Sequence, residues 1–434
     1  MRVALKTRPY LKRKLQPMPK AVIASPNIIT QAAQHRPSAP SQRVHKACGN
    51  GPKFRNGFRQ APNILTFNAK PSPVDRLAKV RLRAAQEGRP LRIALLNTSH
   101  GDINSPEQLY PYVESAVKGN RALPIFNFLR PALAKVGWLF IKNSLKEQYN
   151  SFNWKTNYKE KSESQAEALT KALEKKGTKV KTFIGFNFTE PKIPEAMAQI
   201  RAYNPDLVIV LNQGAQYSKA TTGSSFEEVR EDMLKFSSSA NAPAPLIVGI
   251  EEFSSSPKFR TLLASSIKDD VVKAFKDTPF SEVLVLLASH GLPDLLVAKG
   301  DPALKQMARA TEEIKKQLPQ ELKILSGYLN DDFVPGASWS KPAVADLLPK
   351  IKAAVAAGRK NILLDGRLSF TVHHRATLYD LNVELRKLIE RECPEANISF
   401  AGSFDDDPRF ARVQADIITD YMKRQPNDLA IIYP

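Results

Sequence analysis

The 434-residue chain has six histidines, and four of them share one setting. Val283 to Leu287 is a continuous apolar, branched run of strand length, the pattern of a strand covered on both faces. It breaks off at Ser289-His290-Gly291. Ile93-Ala94-Leu95-Leu96 runs into Asn97-Thr98-Ser99-His100-Gly101, and Asn361-Ile362-Leu363-Leu364 is followed closely by His373-His374. In open α/β sheets ligands bind at the carboxyl ends of the strands. An imidazole changes charge near neutral pH and is a common metal ligand, so it serves there as ligand or as proton carrier. The pattern points to a cleft where imidazoles handle metal ions or protons. The plain alternative for any one of them is a hydrogen-bonded loop residue.

The elements that must position these residues alternate regularly from Leu91. Strand patterns at Arg92–Leu96, Lys179–Phe183, Asp206–Leu211 and Pro245–Ile250 are separated by helical patterns at 106–117, 162–176, 194–202 and 226–235. Ser105-Pro106-Glu107 reads as a helix start, with Ser as N-cap and Pro in the first turn. Ala122–Ile141 reads as an apolar helix interrupted at Pro131. After a helix at 257–275, strands at 283–287, 323–328, 361–364 and 397–400 alternate with helices at 303–317, 343–357, 377–389 and 410–423. Strands separated by helices of this length mean right-handed crossovers and parallel sheets. The fold class is therefore α/β, two doubly wound parallel-sheet halves with a cleft between them. The expected organisation is a disordered basic tail over 1–90, a first half over 91–275 and a second over 276–434.

Charge separates the tail from the rest. The chain carries +21, and residues 1–90 account for +17 of it, with 19 Lys and Arg against Asp75 and Glu87 alone. This tail has no sustained apolar period, so it is expected to stay unfolded. It reads as an arm for an anionic membrane surface or nucleic acid, as an organellar transit segment, or as a solvated spacer. Nothing in its pattern indicates specific nucleic-acid recognition. Cys48 and Cys393 are the only cysteines, which excludes a disulfide framework and a cysteine-ligated zinc or iron–sulfur site. No P-loop or G-x-G-x-x-G follows a first strand, so nucleotide binding has no support. No signal-peptide core stands in positions 1–30, and Ala122–Ile141 is too broken by polar residues to span a bilayer. A cytoplasmic location is expected, with an organelle as the alternative if the tail is a transit segment.

Five stretches bear a family resemblance. Gln216-Tyr217-Ser218-Lys219-Ala220-Thr221-Thr222-Gly223-Ser224 resembles the P-Q-Y-S-x-x-T-T-G-S of ferrochelatases. Ala288-Ser289-His290-Gly291-Leu292-Pro293, with Gly300-Asp301-Pro302 beyond, resembles that family's S-A-H-G-L-P and G-D-P-Y. Gly336-Ala337-Ser338-Trp339-Ser340-Lys341-Pro342 is similar to its G-P-x-x-W-L-x-P, and Phe370 to Leu381 to its F-x-x-D-H-x-E-T-L-x-E-L. Asp407-Pro408-Arg409-Phe410 sits where the family has N-x-x-P-x-F. The stretches occur in the family's order and cover residues 91–434.

The resemblance implies two flavodoxin-like halves and a chelatase that inserts ferrous iron into a porphyrin for heme synthesis, with no nucleotide and no iron–sulfur cluster. It makes His290 and His374 the catalytic residues and sets Tyr217, Ser218, Thr222 and Trp339 against the porphyrin. His290, His373, His374 and His100 are the expected metal ligands. The partners implied are a porphyrin and a divalent metal ion. Ala122–Ile141, with Phe126, Phe128, Trp138 and Phe140, reads either as buried core or as an apolar lip at the cleft mouth that makes a peripheral membrane contact. The chain departs from the pattern at several cleft positions. Ala376 stands where the family has its catalytic glutamate, and His373 replaces the aspartate. The family's Q-S-R is missing, with Asn330, Asp331 and Asp332 nearby, and its G-S-P-L reads Asn153-Trp154-Lys155-Thr156-Asn157 after Tyr149. These changes bear on activity and not on fold. The alternatives to an iron chelatase are a related chelatase for another metal or tetrapyrrole, and a non-catalytic relative that binds a tetrapyrrole.

Overall fold

Each uninterrupted apolar run becomes a buried strand of a parallel sheet. The structure is a computed structural model that describes residues 73–119, 126–237, 244–330, 338–423 and 430–433; the expectation of a disordered tail over 1–72 lies outside them. The strands are β1 (Ile93–Ser99), β2 (Val180–Phe186), β3 (Leu207–Asn212), β4 (Leu246–Ile250), β5 (Val283–His290), β6 (Lys323–Leu329), β7 (Asn361–Asp365), β8 (Asn397–Phe400) and β9 (Ala430–Tyr433). Every residue of β1, β3 and β4 is buried, and so is β5 up to its terminal histidine. The orders are β2-β1-β3-β4-β9 and β6-β5-β7-β8. Up to β4 and β8 the two halves have the same 2-1-3-4 order with all neighbours parallel, the flavodoxin-like arrangement.

Alternate residues of β1 and β3 point to opposite faces, as the two-residue period of a strand requires. Ala94, Leu96, Val208 and Val210 meet Met197 and Ile200 of the helix Ile193–Tyr203 and Val229 and Met233 of Thr222–Ser237. Leu95, Leu207 and Ile209 join a cluster with Leu263 and Ile267 of the helix Pro257–Phe275 and Phe410 and Ile418 of Pro408–Lys423. That cluster continues into Val283, Val285 and Leu363 of the second sheet. A shared core therefore joins the halves, and residues 71–434 form one unit.

Three expectations need correction. The tail does not extend to residue 90, because Pro73–Gln86 is a helix. Leu77, Val80 and Ala84 recur at helical spacing and face the core, although basic residues surround them. Arg89 then donates to both carboxylate oxygens of Asp206, at 2.6 and 2.7 Å. The second half does not keep everything after 276. Helix Pro408–Lys423 packs on Tyr158–Glu174 of the first half, and β9 pairs antiparallel with the edge of β4. Pro131 does not interrupt a helix but stands in the first turn of Arg130–Asn150, where its missing N–H costs nothing. Ser105 precedes its helix as expected but forms no side-chain cap.

Candidate active site

A doubly wound sheet opens its crevice where the strand order reverses, here between β1 and β3 and between β5 and β7. The loops at those two points carry the expected residues. After β1 the chain turns through His100 and Gly101. Gly101 has φ +81°, and a Cβ there would lie 1.9 Å from Thr189 Oγ1, so only glycine fits. His100 Nε2 donates to the Ala220 carbonyl of the loop after β3, at 3.0 Å, and its ring packs on Phe188. His290 ends β5 and its Nδ1 donates to the Gly291 carbonyl at 2.5 Å. A carbonyl only accepts, which places the proton of neutral His290 on Nδ1 and its lone pair on Nε2. By the same reasoning His100 has its lone pair on Nδ1.

His373 and His374 lie between β7 and a π-helix over Ala376–Leu385. His374 behaves as a helix cap. Its carbonyl accepts the N–H groups of Thr377 and Leu378, and its Nδ1 accepts the Ala376 N–H at 3.0 Å. The neutral ring therefore presents an Nε2–H, the opposite tautomer to His290. Phe370 contacts both rings, with centroids 4.6 Å from His374 and 5.9 Å from His290. Burial holds His374 well below the usual imidazole pKa, helped by the fields of His290, Arg375, His373 and His100.

The expected cluster of four histidine ligands is not present. Among the described residues, no three His, Cys, Asp or Glu side chains are grouped to hold a metal ion. His373 is the clearest correction: its Nδ1 donates to Thr377 Oγ1 at 3.1 Å and its Nε2 accepts the Ser403 N–H at 2.9 Å. With both nitrogens engaged and the ring against Phe400, it is a structural residue. Burial pushes its pKa down to about 4, against an opposing pull from Asp405.

The loop after β3 is also more scaffold than lining. Ser218 donates to Asp301 at 2.8 Å, and the same carboxylate accepts the Lys219 and Ala303 N–H groups. Thr222 is fully buried and donates to the Gln216 carbonyl. Both were expected to touch the ligand, and both instead fix the loop, because short hydroxyl side chains satisfy nearby backbone and carboxylate groups. Gln216 and Gln213 reach the other half: Gln216 donates to the Leu368 carbonyl and accepts from Ser369, and the Gln213 carbonyl accepts from Thr371. Tyr217 and Trp339 remain half-buried. Of the expected residues, the fold thus brings His290 and His374 together around Phe370, with His100 near enough to act on His374.

Two functional candidates had escaped the sequence reading. Asp102 accepts the Tyr149 O–H at 2.5 Å and the Arg375 N–H at 2.7 Å, and burial raises its pKa against those donors. Its only sequence signal was a carboxylate directly after His100-Gly101. Phe370 is visible in the sequence as part of a family motif but not as the ring that touches both histidines. The apolar stretch divides between its two readings: Ala134 is buried and Trp138 and Ile141 pack on a core cluster, whereas Phe126 and Phe128 are 74% and 77% exposed and stack on each other, and Leu139 and Phe140 face outward on helix Arg130–Asn150. Residues 122–125 of that stretch lie outside the described residues.

Comparison with known proteins identifies the family. The profile of the ferrochelatase family matches residues 92–422. The mitochondrial ferrochelatase of Homo sapiens is 28% identical over 325 residues, covering 71% of this chain and 70% of that protein. The ferrochelatase of Geobacter metallireducens is 26% identical over 292 residues, covering 67% and 86%. Among solved structures, SirB from Bacillus subtilis with Fe3+ is 11% identical, covers 76% of this chain and 96% of its own, and has a TM-score of 0.44. With the profile spanning both sheets and all four strand-end histidines, the chain belongs to the ferrochelatase family.

Proposed function

We propose that this chain is a porphyrin chelatase that inserts ferrous iron, with His290 as its central residue. The observation that carries the reading is the pairing of opposite tautomers at one switch point: an Nε2 lone pair on His290 and an Nε2–H on His374, with Phe370 in contact with both rings. Insertion requires a base for two pyrrole protons and a ligand that receives the metal as it sheds water. A neutral imidazole lone pair does either. Burial keeps His374 neutral, so the second ring offers a hydrogen bond without a repelling charge toward an arriving cation. The substrates are a porphyrin and a divalent metal ion, and the reaction needs no nucleotide and no iron–sulfur cluster.

Ala376 supports a second reading. It is 6% exposed and packs in an apolar cluster with Phe370 and Leu381, so the position offers no carboxylate. That favours a chelatase for another metal or tetrapyrrole, or a relative that binds the macrocycle without inserting metal. The exposed Phe126, Phe128, Leu139 and Phe140 support a peripheral membrane contact, through which an apolar macrocycle would arrive. No helix among the described residues is long and apolar enough to cross a membrane.

The test is anaerobic incubation of the full chain with protoporphyrin and Fe²⁺, Zn²⁺ or Co²⁺, following the Soret band. Wild type should insert iron. His290→Ala should lower the rate by about 10² or more, while the porphyrin Kd, set by apolar contact, changes by no more than about threefold. Binding without insertion of any metal would replace the chelatase reading with the binding-only one.

A further inference from the structure

The head of the π-helix carries backbone donors with no partner inside the helix, as every helix start does. Two of them decide where His374 points. The Ala376 N–H goes to His374 Nδ1 at 3.0 Å, and so fixes the ring. The Arg375 N–H, one residue earlier, goes to Asp102 Oδ2 at 2.7 Å, across a sequence separation of 273. Asp102 lies on the loop after β1, so this bond ties the first half to the turn that carries His374. Its other oxygen accepts the Tyr149 O–H at 2.5 Å and the Ile103 N–H at 2.8 Å. The Arg375 guanidinium turns elsewhere, to Asp380 and Gln148. A carboxylate at a helix N-terminus also meets the positive end of the helix dipole.

We infer that Asp102 is a positioning residue for the chelatase site: it holds the His374–Arg375–Ala376 turn so that His374 keeps the Nε2–H tautomer that the Ala376 N–H selects. This rests on the chelatase reading above. Without the carboxylate, the turn loses the tie that aims the Ala376 N–H at His374 Nδ1, and a ring released from that donor no longer keeps a single tautomer. Tyr149 is the second half of the device. It stands on helix Arg130–Asn150, whose outer face carries Leu139 and Phe140, so Asp102 connects the exposed apolar element to the imidazole.

The experiment uses the full chain with ¹⁵N-labelled histidine and three variants, Asp102→Ala, Asp102→Asn and Tyr149→Phe, with His374→Ala to assign the signal. In wild type, without porphyrin or metal, His374 should give the well-separated nitrogen shifts of one neutral Nε2–H tautomer. Asp102→Ala should lose at least half of that separation through tautomer averaging. Asp102→Asn, which keeps one acceptor oxygen, and Tyr149→Phe should lose less. If Asp102→Ala does not fold, these two milder variants decide. In the insertion assay Asp102→Ala should lower kcat by about 10- to 100-fold, the cost of a misplaced group, with the porphyrin KM within about twofold. An unchanged His374 spectrum in Asp102→Asn and Tyr149→Phe overturns the inference, even if kcat or the melting temperature falls, because the role is then structural. A wild type that inserts no metal overturns the chelatase reading alone, and the tautomer signal still decides whether Asp102 sets the ring.

Discussion

What an imidazole does depends on which of its nitrogens the fold has already engaged. His290 and His374 both touch Phe370 and have opposite tautomers, because one donates to a carbonyl and the other accepts a backbone N–H. His373, next in sequence to His374, is engaged on both nitrogens. Its burial has a consequence for stability. The folded pKa is about 4 against an ordinary 6.5, so the unfolded chain binds the proton more tightly. The stability is complete above pH 6.5 and is lost as pH falls toward 4. At about 1.36 kcal/mol per pKa unit, the loss reaches roughly 2–3 kcal/mol near pH 4.5. Urea unfolding at pH 7 and pH 4.5 should show His373→Gln losing that much less than wild type over the same interval. The sequence placed all four histidines at strand ends, which follows from strand patterning. It did not separate His373 from His374, since Ser403 and Thr377, which settle the matter, have no recognisable spacing to either ring.

At the scale of elements, the ends of β5 and β6 approach as closely as a side-chain-free residue permits. A Cβ on Gly291 would lie 1.8 Å from Asn330 Oδ1, and Asn330 is held by its own donation to the Ser340 carbonyl. Gly291→Ala should lower stability by about 1–3 kcal/mol, as overpacking does. Thermal unfolding should show part of that loss recovered in Gly291→Ala/Asn330→Ala. Helix Arg130–Asn150 is governed by its outer face. Phe128→Glu with Phe140→Glu should abolish co-sedimentation with anionic vesicles and leave insertion of detergent-solubilised porphyrin within about twofold, since both rings lie outside the buried clusters. Inner strands were legible because parallel strands buried on both faces are continuously apolar. The helix Pro73–Gln86 was not, because Leu77, Val80 and Ala84 keep helical spacing inside a strongly basic composition. The sequence pattern over 377–389 predicts an ordinary helix and does not distinguish the π-helix found over Ala376–Leu385.

Over the whole molecule, the halves are fastened by a buried ion cluster as well as by the shared core. Arg367, after β7, meets Asp365 at 2.6 Å and Asp270 of helix Pro257–Phe275 at 2.8 Å. Deleting residues 1–70 should leave the melting temperature within about 2 °C, whereas deleting 1–90 removes the packing of Leu77 and Val80 and the Arg89–Asp206 pair and should cost several degrees, about 4 °C per kcal/mol lost at most. Salt-sensitive vesicle binding should weaken with the shorter deletion, as loss of a basic arm implies. If it survives intact, Phe126 and Phe128 carry the membrane contact by themselves. The return of the last strand to the first sheet has a different kind of consequence, in the order of synthesis. The edge of β4 is made long before its partner β9. At ribosomal speeds of about 5–20 residues per second, the intervening chain takes roughly 10–40 s to appear. For that interval the nascent first half exposes a bare strand edge, the kind that templates aggregation. A protein built this way finishes its opening sheet last, with the final strand to be synthesised.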